Sequence, residues 1–413
     1  MECGINNLIL SILFACFVSV IIWHEKNNGI WYSPFSAISI PIVIITLLTN
    51  VFAPIINFEI VSSQVIMINS WAFLCFYIGG CIIRQNKIHP VKRRIIEIPR
   101  LKINHIHFIK FFFSVIILVA IFQLKAVLQN RSIFELEDQE YAQGGLAAHM
   151  GNFIIIILIV LIINLKYNIL RIGKWMTVAL IIVCLGLKLA SAIKAEFLLP
   201  IICGIFISIY IGAIKLNLKN IILTVSCFVA LFIGMALVFN IKEEGDTLTY
   251  SIGYFIFYLI CGEVGFSEYL RYHPNLVNEQ IEFVTVFFNN VINTIFGTGK
   301  AHLYTDYAVT SWIQVTNRVN LLEFKTNVYS LIGEVYINTG WVIGSIFMFL
   351  LGLYSYYIRG IAKRDIFLLV NYAYLFGCLS LSFFSSSYIL LPSFVYVQCA
   401  CIFLSFINKT KFS

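Results

Sequence analysis

Apolar residues in this chain fall in long unbroken runs, not in the alternating or three-in-seven patterns of half-buried strands and helices. A helix that crosses a bilayer needs about 20 predominantly apolar residues. Stretches near 5–23, 33–52, 61–83, 106–127, 149–165, 175–191, 197–214, 220–240, 327–358, 366–385 and 388–408 meet that need. The run 327–358 exceeds one crossing and reads as a tilted helix with a lead-in segment. The pattern predicts an all-α polytopic membrane protein with about eleven transmembrane helices and one large folded extracytoplasmic loop. Eight helices occupy 1–240, the loop 241–326, and three more helices 327–413. Within the loop, 250–262 is apolar but too short to cross; it reads as an interfacial or re-entrant segment with its tyrosines at headgroup level.

Composition sharpens this. Of 413 residues, 60% are hydrophobic and 12% charged, against about 25% charged in a soluble domain. Mean hydropathy is +0.91. An ordinary soluble enzyme is excluded. The net charge of +8 is carried by clusters between apolar runs, the densest being Arg84, Lys87, Lys92, Arg93, Arg94, Arg100 and Lys102. The positive-inside rule places that connection in the cytoplasm. Alternation then puts Lys166/Arg171/Lys174, Lys215/Lys219, Arg359/Lys363/Arg364 and Lys409/Lys411 on the same side, with the C-terminus cytoplasmic and the N-terminus outside. Pro41 and Pro54 leave a second parity open, in which the second run is a re-entrant pair. No patch points to nucleic acid. The cysteines lie almost all inside apolar runs without CxxC or metal spacing, and read as small hydrophobes.

Two connections fall outside, 128–148, with Glu135, Glu137, Asp138 and Glu140, and the loop 241–326. No Walker motif, HExxH or DxD occurs, so any substrate is carried in the membrane or delivered outside. Ionisable groups at the outer ends of spans carry the remaining signal. Lys188, Lys194 and Glu196 occupy one turn, where Lys194 can meet a lipid phosphate or simply snorkel. In the loop, nine acids outnumber five bases, so an anion would be held by individual cations and not by a diffuse field. Lys242, Glu263, Glu268, Arg271, His273, His302 and Arg318 are the loop's candidates. Ser267–Pro274 sets Arg271 beside His273, an anion holder beside a proton acceptor. The plainer alternative is a surface i,i+3 pair of Glu268 with Arg271 and a solvated histidine. The third group lies at 326–353, where Glu334, Tyr336 and Asn338 enter a span after Asn327 and Tyr329. Gly340, Gly344 and Gly352 follow at spacings that permit close helix packing. A carboxylate so near hydrocarbon needs a partner, and Arg318 or Lys194 are the expected ones. The alternative is a structural ion pair fixing helix registry.

The stretch Thr326-Asn-Val-Tyr-Ser330, then Gly333-Glu-Val-Tyr-Ile-Asn-Thr-Gly340, then Gly344 and Gly352, resembles the Wzy-type O-antigen polymerases, or oligosaccharide repeat-unit polymerases. The turn Ser191–Pro200 is similar to that family's Ser-Arg-Gly-like turn, with Lys194 where arginine is more usual. The resemblance implies a membrane glycosyltransferase of the bacterial inner membrane, multi-pass, with its large loop in the periplasm. Its substrate would be undecaprenyl-diphosphate-linked oligosaccharide, polymerised into O-antigen or a related surface polysaccharide by inverting, metal-independent transfer without a cofactor. A chain-length regulator is the protein partner such an enzyme admits. On this reading Arg271, Arg318 and Lys194 hold the diphosphate, and His273 or Glu334 takes the acceptor's proton. Lys242, His302, Asn327, Tyr329, Tyr336 and Asn338 line the substrate path. A lipid-linked oligosaccharide flippase would bury its charges between two related halves with short loops, and no such halving occurs. An O-antigen ligase performs nearly the same chemistry, and only the segment around Glu334 favours polymerisation. An acyltransferase would want an early intramembrane Arg/His pair, which the first spans lack.

Overall fold

The computed structural model describes residues 2–56, 58–85, 101, 105–129, 146–190, 194–214, 247–274, 280–286, 313–316, 325–385, 387–390 and 392–410, with isolated residues at 217, 219, 220, 223, 226, 230, 276 and 289. Among them the chain is mostly helical. In order come α1 (Glu2–Asn27), α2 (Pro34–Ile56), α3 (Ser63–Gln85), α4 (His105–Gln129), α5 (Leu146–Tyr167), α6 (Lys174–Ala190), α7 (Lys194–Tyr210), α8 (Thr247–Tyr272), β1 (Ile313–Gln314), β2 (Lys325–Thr326) and α9 (Leu331–Ile361). A 3-10 turn (Ala362–Arg364), α10 (Ile366–Leu381), α11 (Ser387–Leu390) and α12 (Pro392–Lys409) complete it.

Among the described residues, four helices are long and apolar enough to cross a membrane: Asn6–Asn27, Pro34–Phe52, Ser63–Ile83 and Leu331–Arg364. Shorter apolar helices cover Ile106–Ile121, Phe153–Tyr167, Leu198–Tyr210, Ile366–Leu381 and Ser393–Lys409. Both sets fall where the sequence places spans. Of the eighth expected span, 220–240, only 220, 223, 226 and 230 are described, and the connections 86–100 and 130–145 lie outside the described residues. Val342, Ile346 and Leu350 are exposed four residues apart on α9, an outward apolar stripe that suits lipid and not water.

The chain forms two compact units, interleaved along the sequence. Unit 1 is Met1–Lys92, Ile222–Tyr357 and Leu379–Leu391. Its helices begin on caps chosen by the sequence. Ser33 accepts the Ser36 N–H at 3.0 Å, just before Pro34 opens α2. Asn50 on α2 binds Ser11 of α1 at 2.8 Å and both backbone groups of Val61. α3 and α9 lie side by side in the same direction at backbone contact. A Cβ on Gly79 would stand 2.1 Å from the Phe349 carbonyl oxygen, and one on Gly352 2.0 Å from that of Phe76. The glycine expected to permit close packing at 352 does so.

Unit 2 is Arg93–Ile221, Ile358–Cys378 and Pro392–Ser413. Its centre is α5, where Ile154 to Leu161 are all buried, as expected of a helix apolar on every side. Its polar groups tie chain ends. Lys166 donates to the Ile211 carbonyl at 2.5 Å, closing α7 before Gly212 (φ 71°). Asp365 accepts the Phe367 N–H at 2.8 Å and the Asn408 amide at 2.5 Å.

The segment 250–262, expected as a short interfacial piece, is instead the middle of the 26-residue α8, which packs on α2 and α3. Its polar interruptions at Glu263 and Ser267 hide this in the sequence, because their side chains bond to other elements of unit 1.

Candidate functional site

The segment that leads into α9 is pinned from three sides within unit 1. Strand β2 pairs antiparallel with β1, Thr326 opposite Ile313. Beyond β1, Val315 accepts the Glu59 N–H at 3.0 Å and Thr316 bridges to Phe58, which fastens this hairpin to the α2–α3 connection. Thr326 then folds its hydroxyl onto Val328, accepting the Val328 N–H at 3.0 Å. Ser330 donates its N–H to the Gly262 carbonyl at 3.2 Å, and Leu331 to that of Ser382 at 2.8 Å. Ser330 also caps α9, accepting the Gly333 N–H at 3.3 Å.

Glycines make the contact between α8 and this segment possible. A Cβ on Gly265 would lie 2.7 Å from the Thr326 methyl, and one on Gly333 2.9 Å from the Phe266 ring. Tyr269 meets Tyr329 edge-on, centroids 5.8 Å apart, and carries the His273 ring on its other contact at 4.8 Å. Two groups that the sequence treats separately, Ser267–Pro274 and Asn327–Gly340, thus share one end of unit 1.

The individual residues fare differently. The Arg271 side chain is 66% exposed and only 3.5 Å from Glu268, itself 10% exposed. This is the i,i+3 pair foreseen, loose enough to leave guanidinium donors for a ligand. His273 is exposed. Asn327 is half-buried, whereas Tyr329, Tyr336 and Asn338 are buried. Tyr336 packs edge-on against Trp341 at 5.5 Å, lies 3.3 Å from where a Gly344 Cβ would be, and reaches the Ser345 hydroxyl at 3.3 Å. Asn338 donates to the Glu334 backbone carbonyl at 2.8 Å. These three side chains serve the interior of the segment. Glu334 is buried on the first turn of α9. Of the partners expected for it, Arg318 lies outside the described residues with Lys242 and His302, and Lys194 begins α7 in unit 2.

α9 is broken at Gly340, whose φ of 68° and ψ of −172° are open to glycine alone without strain. The break separates the lead-in turns from the long helix, matching the division expected of this run. The Asn338 carbonyl at the break is satisfied by the Gln280 N–H at 3.0 Å. Irregular backbone at the end of an apolar helix survives only where protein satisfies it.

Sequence reasoning includes Glu263 in the loop's group but leaves out Asn69, its partner at the centre of this region. Asn69 of α3 donates Nδ2 to Oε2 of Glu263 at 2.8 Å, and both residues are 0% exposed. α8 is not among the four crossing helices, and burial pushes the Glu263 carboxyl up to about 7, with Asn69 and then Ser330 opposing. Glu268 is also raised, first by burial and next by repulsion from Glu59, with Arg271 pulling the other way. An ionisable residue in a hydrophobic run, at position 263, is the only signal the sequence offers for this pair.

No protein-family model, curated protein or solved structure matches the chain.

Proposed function

We propose that this chain polymerises oligosaccharide repeat units carried on undecaprenyl diphosphate. The observation that carries the reading is the meeting of His273 with the Asn327–Gly340 segment through Tyr269 and Tyr329, with Arg271 two residues before His273 on α8. An exposed imidazole joined through Tyr269 to the segment that resembles the polymerase family, and an exposed guanidinium two residues before it on α8, form the minimum such a transfer needs.

The chemistry is balanced by few groups. The acceptor sugar's hydroxyl oxygen attacks the anomeric carbon of the growing glycan while the bond to the diphosphate oxygen breaks, inverting that carbon. The hydroxyl proton passes to a base, and the electron pair leaves on the diphosphate. Arg271, with Arg318, neutralises the charge that develops there. His273 is the better placed base, because it is exposed whereas Glu334 is buried. Glu334 and Asn338 then hold the lead-in turns in shape. The reaction belongs on the outer face of the bacterial inner membrane, where such lipid-linked units are presented.

The test is the surface-glycan banding pattern of a host lacking this gene, with its acceptor lipid and ligase intact. The reading predicts surface lipid bearing a single repeat unit and no ladder, with the ladder restored by the wild-type chain but not by Arg271→Ala. Loss of the single-repeat band as well would point to a flippase, and unlinked polymer accumulating on its lipid carrier would point to a ligase.

A further inference from the structure

Glu263 and Asn69 meet deep inside unit 1, and the single hydrogen bond between them leaves an imbalance. Nδ2 of Asn69 is used on Oε2 of Glu263 at 2.8 Å. The remaining two oxygens, Oε1 of Glu263 and Oδ1 of Asn69, are buried acceptors with no hydrogen-bond partner among the described residues. Buried polar atoms are almost always paired, and a buried carboxylate without counter-charge is costlier still. Two orphaned acceptors on planar groups already joined at one corner lack one donor.

We infer that Glu263 is held as a neutral carboxylic acid whose proton sits on Oε1 and is donated to Oδ1 of Asn69, making an internal proton-binding site that joins α3 to α8. Acid and amide then form a closed ring of two hydrogen bonds, and one proton satisfies both orphans.

Among the described residues no cation does the same work. α2 has no titratable side chain. α3 has Cys75, Tyr77, Cys81 and Arg84, the last fifteen residues beyond Asn69, about 22 Å of helix. β1 has none, and β2 has Lys325, which is exposed. The lead-in segment brings Tyr329 and Glu334, and α8 itself brings Cys261, Glu268, Tyr269 and Arg271, with Arg271 engaged on Glu268. Besides burial, only Asn69 and Ser330 act on the Glu263 carboxyl. The proton matters to the site because α8 presents the Gly262 carbonyl to Ser330 one residue before Glu263 and packs Phe266 under Gly333 one turn later. Loss of the proton would place an uncompensated charge between the two contacts that seat the lead-in segment.

The inference concerns occupancy by a proton and stands whether or not the chain polymerises glycans. It is tested on the purified full-length protein by infrared spectroscopy across pH, together with thermal unfolding. The expected result is a carbonyl stretch of a protonated carboxylic acid that is present below about pH 7, fades above it, and is absent from Glu263→Gln. Glutamine reproduces both the donor and the acceptor edge, so Glu263→Gln should unfold no earlier than the wild type in mild acid and later than it in mild alkali. Asn69→Leu should keep the band but move it to the frequency of an acid without an acceptor. The inference is overturned by a wild-type spectrum without that band in mild acid. It is equally overturned by unfolding that depends on sodium or potassium concentration and not on pH, or by a Glu263→Gln protein that fails to accumulate.

Discussion

Two of the carboxylates buried in unit 1, Glu25 and Glu263, are treated in opposite ways. Glu25, at the end of α1, is 1% exposed and receives a hydroxyl on each oxygen: Tyr356 of α9 on Oε1 and Ser33, the cap of α2, on Oε2. Gly80 of α3 makes room for the Tyr356 ring, since a Cβ there would lie 2.4 Å from it. Three helices are thus tied through one fully engaged carboxylate. Glu263 is 0% exposed and has a donor on Oε2 but none on Oε1 among the described residues. The same side chain acts as a clamp where both oxygens are served and as a proton site where one is not. Burial alone does not separate the two roles; counting donors does.

The comparison breaks most severely at the clamp. Glu25→Ala removes the acceptor of two strong hydrogen bonds and leaves Ser33 and Tyr356 to be satisfied elsewhere. Loss of about 4 kcal/mol is expected, read as earlier unfolding in detergent. Next in size is the response of the wild type to pH, on the order of 3 kcal/mol. Because the folded carboxyl of Glu263 is raised to about 7 from 4.5, the folded state binds the extra proton. Its stability should fall as pH rises between those two values and level off above the upper one. Glu263→Gln should flatten that profile, and the same exchange at Glu25 should cost stability at every pH. A smaller effect, about 2 kcal/mol, is expected from Gly79→Ala, whose methyl would press on the Phe349 carbonyl and part α3 from α9. Smallest for stability is Arg271→Ala, within about 0.5 kcal/mol, because the Arg271 side chain is itself exposed and its one ion pair is long, at 3.5 Å; its effect is expected on glycan chain length instead.

The long apolar runs made α1, α2, α3 and α9 legible to within a few residues; the length of 327–358 anticipated a separate lead-in, and the glycine spacing at 340–352 a close approach. Hydrophobic burial is a local signal, so periodicity and length find it. The site is less legible because its parts are joined across the chain. Asn69 and Glu263 are 194 residues apart, and Glu25 and Tyr356 are 331 apart. Nothing in either neighbourhood announces the other. α8 escaped as a full helix for the same reason, since Glu263 and Ser267 look like helix-ending polar residues until Asn69 and the Ser62 N–H meet them. Tyr329 and Tyr336 read in sequence as lining a substrate path, yet the same aromatic area equally suits an interior, and there they pack against Tyr269 and Trp341.

The most direct test of the proposed activity is reconstitution of the purified chain in lipid vesicles with a synthetic undecaprenyl-diphosphate-linked repeat unit as sole substrate. Products are resolved by length after the lipid is released. The account predicts a ladder of oligomers with inverted linkages, formed without nucleotide and suppressed in Arg271→Ala and His273→Ala proteins that unfold like the wild type. Substrate that crosses the vesicle bilayer while remaining a single unit would contradict it.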